Sequence, residues 1–370
     1  MTLYWILCFA YIVVFFLFYI SKGSIRSKKI ISFFLLLGLV LLTTFRPLEI
    51  PDTEGYVYIF NRIDSLSNIS IGFKDLLGRE YISGTEYGFV YLIKILIAVG
   101  SKNYRFIFFV ISVIEIYFFS IFAKNIYRDD FSKRIGLCYY FLPYFGLMYL
   151  LVPIRAGICL SMCLAAFSLT KNIKSKKFIR ICESIFIYLL AFTIHRMSVL
   201  FAVIELVFYV MPLFKRKTYW ILWTLSGIMI FLMRISLFTT IQNWLKIIAS
   251  RVGLFESYSG YFSKKIVVEG LSFRSLFFLL LGALILYVCS DKQLENNKRY
   301  FNFYIVGLFI MSGFAFISGS FRINDFFFSL LPIMMTNLNI SDCRKKISNV
   351  LLFSIEFIYG VLGVVIVMRL

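Results

Sequence analysis

The stretch LLVPIRAGICLSMCLAAFSLTKNIKSKK, residues 150–177, contains the pattern that decides the fold. A tight turn with a single arginine, Arg155, leads into an apolar run, and the run ends in a connector rich in lysine. The same order recurs along the chain, where short Lys/Arg-rich connectors alternate with turns that hold one Arg, His or Asp. This alternation predicts how the chain crosses a membrane.

The composition supports a membrane protein. Of 370 residues, 61% are hydrophobic and only 16% are charged, and apolar runs of this length can cross a hydrocarbon core of about 30 Å. We therefore predict an all-α polytopic integral membrane protein that contacts the lipid bilayer. The net charge of +20 would suit nucleic acid. The Lys and Arg lie in short connectors and form no basic domain, so we expect no nucleic-acid partner.

Seven cysteines and one histidine offer little material for a metal or disulfide site. All the cysteines except Cys343 lie within or at the ends of apolar spans, and no Cys/His spacing resembles a zinc site. We expect no disulfide framework, no metal and no cofactor.

The basic connectors set the orientation, because short cytoplasmic loops carry the excess of Lys and Arg. Six connectors hold more than half of the 39 Lys and Arg and are therefore placed inside. They are residues 21–29, 124–134, 171–180, 214–218, 291–300 and 341–347.

About twelve transmembrane helices fit this orientation, with both ends of the chain outside. They fall near 3–20, 30–45, 104–123, 135–152, 154–170, 181–194, 197–213, 219–235, 273–290, 300–317, 323–340 and 348–368. The segment 86–100 would break the parity and carries Lys94 near its middle, so we predict a re-entrant or interfacial helix there. A thirteenth span is the alternative. Two longer extracytoplasmic loops, 46–87 and 236–272, complete a single transmembrane domain over residues 1–370.

Isolated charged side chains collect at the span ends that face outside in this topology. They are Arg46, Asp52, Arg155, His195, Arg196, Arg322 and Asp325. Lysine would reach lipid headgroups equally well, whereas arginine presents a rigid fork of donors that pairs bidentately with phosphate. Because three very short outer turns each supply an arginine, the pattern predicts an anion, such as a pyrophosphate-linked lipid, at the membrane surface.

Each of these residues also has a purely structural interpretation. An arginine at a span end commonly extends toward lipid headgroups. Asp52 precedes an amphipathic segment and can cap a helix, and His195 can lie at headgroup level with a satisfied ring. Asp325 can be the ion-pair partner of Arg322 one turn earlier.

Two further patterns lie within the spans. Small residues recur every four positions after Arg155, at Gly157, Ser161 and Ala165, which indicates close helix packing or a groove for a lipid chain. An acidic residue within an apolar span raises the free energy of membrane insertion unless it is paired or faces a cavity. We expect such surroundings for Glu115, Glu205 and Glu356.

Five stretches together resemble a known family. They are FRPLEIPDTEGYVYIF (45–60), EYGFVYLIKIL (86–96), IRAGICLSMCLAAF (154–167), TIHRMSVLFAVIEL (193–206) and FRINDFFFSLLPI (321–333). Their order and spacing resemble the EpsG family of Wzy-like polysaccharide polymerases, which serve O-antigen, capsule and exopolysaccharide synthesis in bacteria. Residues typical of that family are matched by Arg46, Asp52, Tyr56, Arg155, His195 and Arg322. Arg155 is followed by Ala156 where the family usually has Gln, so no role is implied for a neighbouring amide.

The resemblance implies a membrane glycosyltransferase that needs no metal. Such polymerases join undecaprenyl-pyrophosphate-linked oligosaccharide repeat units on the outer face of the cytoplasmic (inner) membrane. A chain-length regulator and a flippase are the protein partners that this implies.

The site residues fall into two groups under this interpretation. The catalytic group holds Arg155 and Arg322 for the diphosphate, with His195 ahead of Asp52 as the general base. The substrate-binding group contains Arg46, Arg196, Tyr56 and Asp325.

Other functions stay open from the sequence. A lipid-linked oligosaccharide flippase or other transporter would spread its charges through the membrane depth, whereas here they cluster on one side. An O-antigen ligase-like glycosyltransferase would use the same diphosphate chemistry. A glycan acyltransferase would place its histidine deeper in the membrane or toward the cytoplasm.

Overall fold

The computed structural model describes most of the chain. Apart from four isolated positions, it describes residues 2–20, 24–50, 52–65, 80–82, 85–100, 102–127, 130–171, 177–210, 214–232, 273–313 and 321–338. The chain divides into two compact units: residues 1–205 with 350–370 form the first, and residues 206–349 form the second.

The described part of the first unit is helical except for one short antiparallel hairpin. Its helices are α1 (Thr2–Ile20), α2 (Ile25–Thr44), α3 (Thr53–Ser65), α4 (Tyr87–Gly100), α5 (Tyr104–Ile126), α6 (Phe131–Phe141), α7 (Leu147–Leu151), α8 (Ile154–Lys171), α9 (Lys177–Ile194) and α10 (Met197–Val210), the last of which begins in this unit. The hairpin strands are β1 (Glu80–Ile82) and β2 (Thr85–Glu86), immediately before α4. One π-helical turn, Leu142–Gly146, joins α6 to α7. It contains Pro143, which cannot donate the backbone hydrogen bond of a regular helix.

Helix α8 lies at the centre of the first unit, between α5 and α9. Its residues from Ala156 to Ser168 are buried, including Gly157, Ser161 and Ala165. Small side chains let neighbouring helices approach closely. At Gly157 the approach is closest, because a Cβ atom there would lie 2.6 Å from Glu115 Oε1 and 2.8 Å from the Tyr149 carbonyl. The small-residue pattern therefore serves helix packing.

The second unit is arranged around one long helix. Its helices are α11 (Arg216–Leu232), α12 (Phe273–Val288), α13 (Asp291–Gly313), α14 (Phe321–Phe328) and α15 (Leu331–Thr336), and the other four pack on α13. Polar side chains join α11 to α13, where Tyr219 donates to Asn302 Oδ1 at 2.6 Å and Arg216 Nε donates to Asp291 Oδ1 at 2.8 Å.

The helices follow the predicted spans closely. Every predicted span except the last overlaps one described helix or two consecutive ones, while 348–368 lies almost wholly outside the described residues. The predicted connector 291–300 is itself helical, because α13 begins at Asp291. By length and composition two described helices can cross a membrane, Arg26–Thr44 and Tyr104–Ile126, and several apolar helices are shorter. The helical architecture is consistent with the predicted membrane protein, and the number of spans stays a prediction, as does the single domain.

The segment 86–100 is a helix as predicted, but the hairpin before it was not predicted. Helix α4 has 14 residues, which gives a length of about 21 Å, less than the hydrocarbon thickness of about 30 Å. Its re-entrant or interfacial placement stays a prediction. Of the long loops, 236–272 lies almost wholly outside the described residues, and 46–87 is described only in part.

Replacing Gly157 with Ala should destabilise the protein by about 1–3 kcal/mol, because the added methyl overlaps the Glu115 carboxylate and a backbone carbonyl. The midpoint of thermal unfolding in detergent measures the effect. Gly227→Ala is the matched control, since its Cβ would lie 3.7 Å from Leu279, an ordinary contact. Equal midpoints for the two variants would contradict the close approach.

Candidate functional site

One buried carboxylate joins three segments at the beginning of α8. Arg155, in the first turn of α8, donates from Nη1 to Glu86 Oε2 at 2.6 Å. The backbone N–H of Arg196, in the turn between α9 and α10, donates to Glu86 Oε1 at 3.3 Å. Glu86 itself ends strand β2. The hairpin, the α8 terminus and the α9–α10 turn therefore meet at one side chain, and we call Glu86, Arg155 and Arg196 the carboxylate cluster.

The carboxylate cluster is largely shielded from water. Glu86 is 6% exposed to solvent, and the side chain of Arg155 is 20% exposed. Burial raises the pKa of Glu86, while the charge of Arg155, the backbone N–H groups and the charge of Arg196 act in the opposite direction. Charges in such a place interact more strongly than in bulk water. An anion that reached Arg155 would feel the same strengthened attraction.

Arg46 occupies a different environment from Arg155, although both were predicted at span ends. It is only 3% exposed, and its Nη1 donates to the Leu150 carbonyl at 3.1 Å and the Leu151 carbonyl at 2.8 Å. These carbonyls end α7, where the helix itself offers no partner. The guanidinium also lies 3.7 Å from the Phe108 ring centroid. Arg46 thus fixes the segment that leads into the Arg155 turn.

Asp52 and Tyr56 lie near Arg46, as the predicted motif implies. Burial lowers the pKa of Arg46 to about 10, and the neighbouring Tyr56, Tyr4, Glu115 and Asp52 oppose this shift, so the guanidinium stays protonated at neutral pH. Asp52 is exposed, has a left-handed φ of 66° and accepts the Tyr56 N–H on its carbonyl at 3.0 Å. Helix α3 begins at the next residue, so Asp52 stands at the helix start.

Tyr56 points into the protein. It is buried and packs against the rings of Phe60 and Phe89, with centroids 6.4 and 6.1 Å away. The Arg155 guanidinium also lies 5.9 Å from the centroid of the Phe89 ring. Tyr56 therefore belongs to the aromatic packing behind the carboxylate cluster.

The ring of His195 is part of the α9–α10 turn. Its Nδ1 accepts the Met197 N–H at 3.3 Å, and its carbonyl accepts the Ser198 N–H at 3.2 Å. A neutral imidazole that accepts through Nδ1 carries its proton on Nε2. In this arrangement Nε2 of His195 is a hydrogen-bond donor.

Arg322 and Asp325 belong to the second unit. Arg322 is the second residue of α14, and its side chain lies outside the described side chains. Asp325 is completely buried in the same helix, and its carbonyl accepts the Ser329 N–H at 2.8 Å.

A comparison with protein-family models settles what the chain is related to. The model of the EpsG family matches residues 29–369. The chain belongs to the EpsG family. This is a family of Wzy-like polysaccharide polymerases, so the resemblance predicted from the five stretches is confirmed. Searches of curated proteins and of solved structures found no match.

Glu86 is the site residue of this EpsG protein that the sequence analysis missed. It lies in one of the five stretches, EYGFVYLIKIL, as the acidic residue directly before an apolar helix. That position was a usable signal, because a carboxylate beside an apolar run requires a partner. The partner itself is distant in sequence and is visible only in the fold.

The structure describes two of the three acidic residues for which the sequence predicts paired surroundings, Glu115 and Glu205. Glu205 accepts hydrogen bonds from Thr170 Oγ1 at 2.7 Å and from the Tyr188 hydroxyl. Glu115 lies against Gly157, and its buried Oε1 makes no hydrogen bond with the described residues. The prediction of paired surroundings is confirmed for Glu205 and stays a prediction for Glu115, and Glu356 lies outside the described residues.

The Arg46 contacts predict a structural effect on mutation. Arg46→Ala should destabilise the protein by about 3 kcal/mol, because it leaves the two α7 carbonyls without their hydrogen-bond donor. Thermal unfolding in detergent measures the loss. The exposed Arg105→Ala serves as control, and equal losses in the two variants would contradict the structural role of Arg46.

Proposed function

We propose that this EpsG-family protein joins undecaprenyl-pyrophosphate-linked oligosaccharide repeat units by glycosyl transfer at the outer face of the bacterial cytoplasmic membrane. The supporting observation is the partly exposed Arg155 guanidinium beside the Arg196 turn, at span ends predicted to face outside. Family membership supports the polymerase activity. The lipid carrier and the outer location are our proposal.

The proposed reaction exchanges one bond at the anomeric carbon for another. The bond from this carbon to the pyrophosphate oxygen breaks, and its electron pair leaves with the lipid pyrophosphate. A hydroxyl of the next repeat unit forms the new bond and loses its proton. Negative charge grows on the departing pyrophosphate, so guanidinium groups already in position lower the barrier. We propose Arg155 for this task, with Arg196 assisting, and the role of Arg322, which lies in the second unit, stays a prediction from the sequence.

The proton of the attacking hydroxyl needs an acceptor. For His195 to accept it through Nε2, the ring proton must move to Nδ1, which means losing the Met197 hydrogen bond. Asp52 is an exposed carboxylate at the start of α3 and needs no such change. We therefore propose Asp52 as the base and the His195 Nε2–H as a donor to a substrate oxygen, which reverses their predicted order.

Three predicted substrate contacts become supporting residues in this proposal. Arg46, Tyr56 and Asp325 are each buried. A side chain that is buried within the protein is not accessible to a sugar, so its role is to stabilise the site. We propose that Arg46 and Tyr56 hold the segments that carry Arg155, and that Asp325 stabilises α14, the helix to which Arg322 belongs.

The first test is complementation of a strain in which the gene is deleted. Deletion should leave single repeat units at the cell surface, and wild type should restore long chains. Arg155→Ala should raise the barrier by about 2–4 kcal/mol, which slows transfer by about 30-fold to 1,000-fold. The length distribution of surface polysaccharide measures this, with normal membrane levels of the protein confirmed in parallel.

The matched control is Arg62→Ala, an exposed arginine of α3. It should restore long chains. Accumulation of lipid-linked units on the cytoplasmic face after deletion would show a transporter and would overturn the proposed polymerase.

Two replacements of His195 separate its two nitrogens. Asn can place an oxygen where Nδ1 accepts the Met197 N–H, whereas Gln can place an amide N–H near Nε2. His195→Asn should keep the unfolding midpoint and lose polymer, while His195→Gln should be less stable by about 1 kcal/mol and keep partial activity. Full chain length in the Asn variant would remove the ring from the mechanism.

A further inference from the structure

We infer that Glu86 is a positioning residue for the transfer reaction, and that its carboxylate competes with the diphosphate for Arg155. This inference rests on the proposed function, because it concerns the same arginine. The family assignment covers Glu86 but gives it no role. The geometry of the carboxylate cluster carries the inference.

The position of Glu86 is fixed from both sides. Two residues further on, Gly88 lies so close to Thr193 that a Cβ atom would collide with the threonine side chain and would be 2.5 Å from its carbonyl oxygen. The first turn of α4 is therefore docked on the end of α9. This docking brings Glu86 to the Arg196 N–H at 3.3 Å, while Arg155 holds the other oxygen at 2.6 Å.

A carboxylate held in this way orients the arginine. A guanidinium on its flexible side chain has many positions, and an ion pair shielded from water selects one of them. The pair is not a surface contact of negligible energy, since Glu86 is largely buried. Removing either partner would leave a charge with reduced access to water. Glu86 thus determines where the Arg155 fork lies when substrate arrives.

The same carboxylate reduces the attraction of the site for anions. Burial raises the pKa of Glu86, and the positive charges of Arg155 and Arg196 act against this shift and favour the ionised carboxylate. With Glu86 ionised, these three groups carry a net charge of about +1, and without it about +2. The higher charge would hold the diphosphate more tightly both in the substrate and in the product. Such uniform binding does not accelerate the reaction, and it slows release of the lipid pyrophosphate product.

The test uses the full-length protein in lipid nanodiscs and the variant Glu86→Gln. Glutamine keeps an oxygen for the Arg196 N–H but removes the negative charge. Inorganic pyrophosphate should bind about tenfold more tightly to this variant. Turnover of lipid-linked repeat units should fall about tenfold, with KM falling together with kcat. A residue that only stabilises the fold would lower activity without tightening the binding of pyrophosphate.

Two further variants complete the test. Glu295→Gln is the matched control, because it removes a carboxylate from the exposed ion pair with Lys298 and should leave binding and turnover unchanged. Glu86→Asp keeps the charge but is one methylene shorter, so it cannot keep both hydrogen bonds. It should bind pyrophosphate like wild type and turn over more slowly, which tests the positioning role even if Glu86→Gln does not fold.

The outcomes separate the two proposals. Wild type that neither binds pyrophosphate nor extends lipid-linked repeat units would overturn the proposed function and this inference with it. Wild type that does both, together with unchanged or weaker pyrophosphate binding in Glu86→Gln, would overturn the inference alone. Tighter binding with slower turnover supports it.

Discussion

A charge kept away from water must have a partner, and this constraint organises the described part of the first unit. The guanidinium of Arg46 is held by the carbonyls that end α7, and the carboxylate of Glu205 is held by two hydroxyl groups. Glu86 is held by a guanidinium and a backbone N–H. An unpaired charge at such positions would cost several kcal/mol. Each pairing therefore specifies how two or three segments must approach each other.

These pairings form a connected support for Arg155. Arg46 fixes the end of α7, the chain then turns through Val152 and Pro153, and Arg155 follows in the first turn of α8. Helix α8 is itself held rigidly, because its small residues allow α5 and α9 to pack closely around it. A site carried by a packed helix is positioned more accurately than one carried by a loop. The buried Arg46 thus helps to hold the partly exposed Arg155 in position.

The helices could be predicted from sequence, whereas the roles of individual charges could not. Apolar runs between basic connectors predicted the helices well, since hydrophobic length alone determines them. The π-turn at Leu142–Gly146 and the hairpin before α4 escaped prediction, because local packing decides both. Arg46 and Arg155 look alike in sequence, as each follows or begins an apolar run. Their different burial depends on residues about a hundred positions away, such as Leu150 for Arg46, and Glu86 was missed for the same reason.

A processive polymerase of lipid-linked units faces opposing requirements at its anion site. The diphosphate must be held while its bond to the sugar breaks, and the lipid pyrophosphate must then leave so that the next unit can enter. A site of uncompensated arginines meets only the first requirement, because it also holds the lipid pyrophosphate product tightly. A guanidinium that already has a fixed carboxylate partner binds the resting diphosphate less strongly. It still responds to the additional charge that develops as the bond breaks, because the attraction grows with that charge. In the proposed mechanism, the ion pair between Glu86 and Arg155 is therefore compatible with rapid transfer and with release.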